Sequence, residues 1–196
     1  MKPLFFILCI ALCGTITGCG DRDPKTAGFN FYDAGYFKEA LPRLEKAYAN
    51  SQDDPELIVR LAHCLAEEKK DPRAALEILH ASTLKFPDYA RTYYQLGFIA
   101  FRHGSTENDE NILQALGFTR KAAELDSTNF KIVDNVGMYH RRLDNLDSAL
   151  FWFERAERIN PEYPQLNQRL KDTKMLIARK AAADSILTAD TLNINP

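Results

Sequence analysis

Side chains able to do chemistry are few and scattered in this sequence. Histidine stands at 63, 80, 103 and 140, and cysteine at 9, 13, 19 and 64. Only His63-Cys64 sets a base beside a nucleophile. Neighbours on a helix point about 100° apart and do not face each other, so the pair reads as packing, with Cys64 a small buried hydrophobe. The run Glu107-Asn108-Asp109-Glu110 offers oxygen ligands. It lacks the alternating ligands and central glycine of a calcium-binding loop, and reads as a solvated linker. The sequence holds no Gly-rich phosphate loop, no Gly-x-Ser-x-Gly, no His-Glu-x-x-His and no Cys-x-x-Cys. Phosphate binding, acyl transfer and zinc or redox chemistry rely on such arrangements. The expectation is a protein that is not an enzyme, with no metal, no cofactor and no small-molecule substrate.

Cys19 stands apart from the other cysteines. It closes a segment that starts with Met1-Lys2, runs through unbroken apolar residues 4–13, and ends in Gly14-Thr15-Ile16-Thr17-Gly18. A charged start, a short apolar core and a small-residue end have the layout of a secretory signal. The apolar run falls short of the roughly 20 residues that span a bilayer. Ile16-Thr17-Gly18-Cys19 resembles the bacterial lipobox. That resemblance implies a signal peptide over 1–18, cleavage before Cys19, lipid on its sulfur, and residues 19–24 as a linker. Each buried CH₂ adds about 0.8 kcal/mol, so several acyl chains on one residue hold a domain at a membrane where a single chain does not. Gly20, where a retention signal would place Asp, leans toward an outer-membrane lipoprotein facing the periplasm. Asp21 and Asp23 resemble a surface-export signal of some Bacteroidota. After cleavage only Cys64 remains besides the lipidated residue, so the domain is expected to hold by packing without an internal disulfide.

The chain's bulk properties agree with a soluble helical domain. It has 196 residues, 45% hydrophobic and 27% charged, with 25 Lys+Arg against 27 Asp+Glu and a net charge of −2. That composition excludes a collagen-like or wholly disordered chain. The near-neutral balance gives no support for nucleic-acid binding, which needs a basic surplus or face. Nine Gly and nine Pro are too few for a chain of many tight turns, and abundant Leu, Ala, Glu, Lys and Arg favour helix.

Self-similarity supplies the organisation. Alanines 40, 75, 115 and 149 are followed by Leu41, Leu76, Leu116 and Leu150. Larger and then small side chains come next: Leu44 and Ala47, Leu79 and Ser82, Thr119 and Ala122, Phe153 and Ala156. Upstream of each alanine is a second small residue, Gly28, Ala62, Gly97 or Gly137. Glycine inside a helix costs about 0.5–1 kcal/mol relative to alanine. Its recurrence at one register implies a second helix passing too close for a side chain. This pattern resembles the tetratricopeptide repeat. The resemblance implies an all-α solenoid of four helix-turn-helix units over 25–161. Residues 162–183 are a ninth, capping helix whose stripe is Tyr163, Leu166, Leu170, Thr173 and Ile177, and 184–196 are a flexible tail. Helix pairs are expected near 25–34 and 37–49, 55–68 and 72–85, 88–103 and 110–125, 129–142 and 145–159. Asp54-Pro55, Asp71-Pro72 and Asn160-Pro161 read as helix starts, while Pro24 leaves the first helix short or ragged.

In this repeat family the first helix of each pair lines a concave groove that holds a peptide or a helix. By that resemblance Phe29, Tyr32, Val59, His63, Arg91, Lys131 and Asp134 face the groove. The binding set is Tyr94, Phe98, Phe101, Arg102, Met138, Arg141 and Arg142. Tyr94, Phe98 and Phe101 share a helical face, and aromatic and Arg side chains are the usual anchors of binding. For Phe98 and Phe101, packing on a neighbouring repeat is the open alternative. The Lys and Asn clamp of chaperone-binding members is absent from the corresponding positions. The function implied is a membrane-anchored scaffold at the bacterial envelope whose partner is another protein. The alternative is an assembly factor for outer-membrane proteins, either a β-barrel assembly component or a secretin pilotin.

Overall fold

A computed structural model describes residues 23–104 and 109–193, with side chains described through residue 186. The signal segment, Cys19 and most of the 104–110 insertion lie outside the described residues. Among those described there are helices and no strands. The first pair is α1 (Pro24–Asp33) and α2 (Phe37–Asn50), and the second is α3 (Pro55–Glu67) and α4 (Pro72–Lys85). The third is α5 (Ala90–His103) and α6 (Glu110–Leu125), and the fourth is α7 (Phe130–Arg142) and α8 (Leu146–Ile159). A long α9 (Pro164–Asn193) follows.

Local chemistry sets the starts. The Asp54 carboxylate accepts from the backbone N–H of Glu56 and Leu57 at 2.9 and 3.2 Å. Asp71 accepts from Ala74 at 3.0 Å. Each satisfies orphan donors of the first turn, and Pro55 and Pro72 occupy a position whose N–H is not needed. Pro24 behaves the same way. Asp23 accepts from Lys25 and Thr26 at 3.1 and 3.2 Å, so α1 opens at Pro24 as a capped ten-residue helix. Asn160-Pro161, read as a helix start, is instead a turn, and α9 begins at Pro164. The turns inside pairs one, two and four each carry one residue of positive φ: Gly35 at 80°, Lys70 at 58° and Asp144 at 56°.

The glycine register has the cause inferred from sequence. A Cβ on Gly137 would stand 2.6 Å from the Phe153 ring, and one on Gly97 would stand 2.9 Å from the Ala115 carbonyl oxygen. One on Gly28 would meet the Leu44 side chain at 2.7 Å. Ala40, Ala75, Ala115 and Ala149 are all fully buried opposite. The second helix of each pair therefore lies in a slot that its first helix leaves empty.

The cap follows from the same register. Leu170 of α9 is buried, and it stands one repeat after Val136 as Val136 stands after Leu96. The next residue, where Gly28, Ala62, Gly97 and Gly137 open their slots, is Lys171, and it is exposed. Asn167 and Lys174 on that side are exposed too. A charged side chain stands where the earlier units leave a gap, and this side of α9 is wet, as suits a capping helix. α9 extends through Asn193, beyond the limit at 183 expected from its apolar stripe. That stripe governs packing, not helicity. No Gly or Pro interrupts residues 165–193, and Ala181-Ala182-Ala183 favour helix where the chain no longer packs.

Candidate functional site

First helices lie side by side: α1 touches α3, and α3 touches α5. Their exposed edges form one wall with a trough of about 510 Å³. From α1 and α3 come Tyr32, Val59 and His63. From α5 come Arg91, Tyr94, Gln95 and Phe98. The far side is Asn129, Lys131 and Ile132 at the start of α7. Second helices contribute nothing to it.

Rings make the floor. His63 stacks edge-on against Tyr32 and Phe37, with centroids 5.5 and 4.9 Å away, and lies 6.1 Å from Phe98. Its Nδ1 is buried without a hydrogen-bond partner, and burial pushes its pKa below the ordinary histidine value. Tyr94 accepts a hydrogen bond from Asn135 Nδ2 at 2.8 Å, which bridges α5 and α7. Gln95 is 6% exposed, and its Nε2 has no partner.

Ion pairs rim the wall. Arg60 donates to Glu56 Oε1 at 2.6 Å and to Asp33 at 2.5 Å, with its guanidinium 4.3 Å above Phe29. Glu56 also receives Arg91 on both oxygens at 2.6 Å, and the Tyr89 hydroxyl at 2.5 Å. Glu67 accepts from Arg102 at 2.7 Å and lies 3.2 Å from His103, and these partners hold its carboxyl below the ordinary value. Arg91 follows Glu56, and Arg102 follows Glu67, by one repeat of 35 residues.

The sequence-derived set divides in two. Tyr94 and Phe98 meet in the trough with Tyr32, Val59, His63, Arg91 and Lys131. Phe101, Arg102, Met138, Arg141 and Arg142 do not line it. Phe101 packs on Tyr139 at 5.0 Å between centroids. Arg102 is bound to Glu67 and lies 6.0 Å from the Phe98 ring. Arg142 covers Phe101 at 5.6 Å. These guanidinium groups lie over aromatic faces, a role their charge alone did not suggest. Met138 is half-buried between the core clusters of the last two repeats. Asp134, expected at the groove surface, is 5% exposed and paired with Arg169 of α9. The cap covers that end of α7. Sequence reasoning missed Gln95, Asn129, Ile132 and Asn135; the only signal for Gln95 was an amide interrupting an apolar stretch.

The His63-Cys64 reading as packing agrees with the geometry. Cys64 is fully buried, and burial pushes its thiol to about 12, far above the range of a reactive thiolate. Among the described residues no cluster of three or more His, Cys, Asp or Glu is placed to hold a metal ion. No described helix is long and apolar enough to cross a membrane.

Comparison with known proteins bears on the fold. Residues 31–96, from the end of α1 into α5, match the tetratricopeptide repeat family model. No curated protein sequence matches significantly. Among solved structures, MamA superposes with a TM-score of 0.64 at 17% identity, over 84% of this chain and 86% of that one. A thermophilic tetratricopeptide-repeat protein of Thermus thermophilus gives 0.66 at 20% identity, over 80% and 82%. A double mutant of MamA from RS-1 gives 0.65 at 16% identity, over 90% and 96%. With the helix order and the slot register above, these likenesses define the fold of the described residues: an all-α tetratricopeptide-repeat solenoid of four helix pairs and a capping helix.

Proposed function

We propose that this chain is a non-enzymatic scaffold that holds a segment of another protein against the inner wall formed by α1, α3, α5 and α7. The observation that carries this reading is the trough around Tyr94 and Phe98. Several aromatic rings line it on one side of a helical stack, with a buried amide left unpartnered in its floor. Aromatic side chains give large contact area at small entropic cost, and a polar rim gives orientation. The lipobox-like Ile16-Thr17-Gly18-Cys19 extends the proposal: lipid on Cys19 tethers the solenoid to a bacterial envelope membrane, with the outer membrane favoured by Gly20.

A pull-down from envelope extract tests the reading. Phe98→Ala together with Tyr94→Ala should lose the captured partner. Phe151→Ser, on the exposed outer side of α8, should keep it. Equal capture by all three proteins contradicts a groove-bound partner. Growth of cells producing the chain in labelled palmitate tests the tether: label lost with Cys19→Ser supports it, and label retained overturns it.

A further inference from the structure

We infer that the outward face of α9 lies on an anionic lipid bilayer, with its apolar side chains in the headgroup boundary and its flanking cations on the lipid phosphates. The inference stands apart from the trough, which no residue of α9 lines. Two features of α9 carry it.

The first is an apolar band with nothing over it. Leu166, Leu170 and Thr173 are buried and hold α9 to the solenoid. Nine residues along a helix is half a turn round it, so Met175, nine after Leu166, faces directly away. Arg179, Ala182 and Ile186 follow Met175 at helical spacing, with Leu176 beside it. Met175 is 45% exposed, Leu176 40% and Ile186 62%. α9 packs on α8, and Arg169 reaches Asp134 of α7; no described element stands on the outward side. Lys180 meets Asp144, just before α8 begins. The helix then runs on for about 20 Å past that point. Every residue from Ala178 to Ile186 is exposed. A flat surface can reach this face along its whole length.

The second is the charge around the band. Lys171, Lys174, Arg179 and Lys180 stand within ten residues against the one carboxylate of Asp172. Four cations less one acid make +3, in a chain whose net charge is −2. Lys171 and Lys174 flank the band on one side and Lys180 on the other, all exposed. Lys171 and Arg179 have no ion-pair partner among the described residues, while Lys174–Glu154 and Lys180–Asp144 are exposed pairs, which hold little. Asp172 accepts from Gln168 at 2.7 Å, and Asp184 lies on the side of the Asp144 turn. Long Lys and Arg stems lie along apolar surface while their charges reach outward. An apolar band edged by such cations is the arrangement of a helix lying in a membrane interface. Anionic headgroups attract each cation, and four cations in mid-helix keep α9 on the surface and out of the hydrocarbon.

The test reconstitutes the full chain into vesicles, with a benzophenone amino acid replacing Ile186 or, as a control, the exposed Leu84 of α4. After irradiation, phospholipid adducts are read by mass spectrometry. Position 186 should capture lipid in vesicles of phosphatidylglycerol and phosphatidylcholine in equal parts, and about fivefold less in phosphatidylcholine alone. Position 84 should capture none. Lys171→Glu with Arg179→Glu should cut capture at 186 by about fivefold or more. Met175→Ser should cut it by about tenfold. All three substitutions fall on exposed residues and should leave the urea midpoint unchanged. Equal capture from both kinds of vesicle, equal capture at 84 and 186, or indifference to the substitutions would each overturn the inference. So would the absence of any lipid adduct at 186, or an adduct between two copies of the chain in its place.

Discussion

Helix α5 makes two unlike junctions. Toward α3 it is clamped by charge, with Arg91 on Glu56 near one end and Arg102 and His103 on Glu67 near the other. Toward α7 the bridging contacts are neutral: the Tyr94–Asn135 hydrogen bond and the Phe101–Tyr139 ring pair. The backbones of α3 and α5 approach each other closely, whereas α5 and α7 stand further apart and meet through longer side chains. The trough lies at this transition, its floor on α5 and its far edge on α7. The repeat fixes which helices stack, while the side-chain contacts between inner helices differ from one junction to the next. Where acid and base recur in step, the wall closes. Where a tyrosine and an asparagine stand instead, the wall holds an open trough.

The largest expected effect strikes what both junctions share. Gly97→Leu drives a side chain into the Ala115 backbone and should cost about 3 kcal/mol in urea unfolding, at the upper end for overpacking. Gly117 of α6 is exposed with open space around it, so Gly117→Ala should instead stabilise by about 0.5–1 kcal/mol. If both changes cost alike, the slot account of the register is wrong.

Breaking the charged junction comes next. Glu56→Ala strips an acceptor from Arg60, Arg91 and Tyr89 together and should cost about 2 kcal/mol, since several half-buried donors lose their partner at once. At the neutral junction, Tyr94→Phe removes one hydrogen bond and should cost about 1 kcal/mol. A larger loss from Tyr94→Phe than from Glu56→Ala would reverse the comparison.

The smallest effect is in pH. Burial lowers the pKa of His63 and of His140 from the ordinary 6.5. As pH falls through that value the unfolded chain takes up protons that the folded chain refuses, so stability falls. Glu67 and Asp54 are depressed by their partners from 4.5 and 3.8, so their contribution is lost only at lower pH. Urea midpoints should therefore drift down between the ordinary histidine and carboxylate ranges. The double variant His63→Asn, His140→Asn should flatten that drift, and an unchanged slope would count against neutral buried rings.

Much of this architecture was readable in advance because it is repeated. Gly28, Gly97 and Gly137 announced the slots, and Ala40, Ala75, Ala115 and Ala149 announced what fills them. Asp-Pro steps marked true starts wherever the Asp could reach back to cap, and the similar Asn160-Pro161 step misled. The site was less legible. Tyr94 and Phe98 emerged from helical spacing, but spacing places a side chain on a face without saying what lies opposite. Arg102 therefore read as a binding cation, though Glu67 one repeat back holds it. Asp134 read as exposed, though a cap helix thirty-five residues on covers it with Arg169. Gln95 drew no notice, since spacing alone does not show that its amide is buried without a partner. Lys171 marked the wet side of the cap in plain view, as the one charged residue at a register otherwise kept for Gly or Ala.

Photo-crosslinking in cells tests the central claim most directly. A benzophenone amino acid in place of Phe98, on the inner wall, should trap a discrete partner. The same residue in place of Phe151, on the outer helix layer, should trap none. Capture of the same species from Phe151 but not from Phe98 would contradict the account.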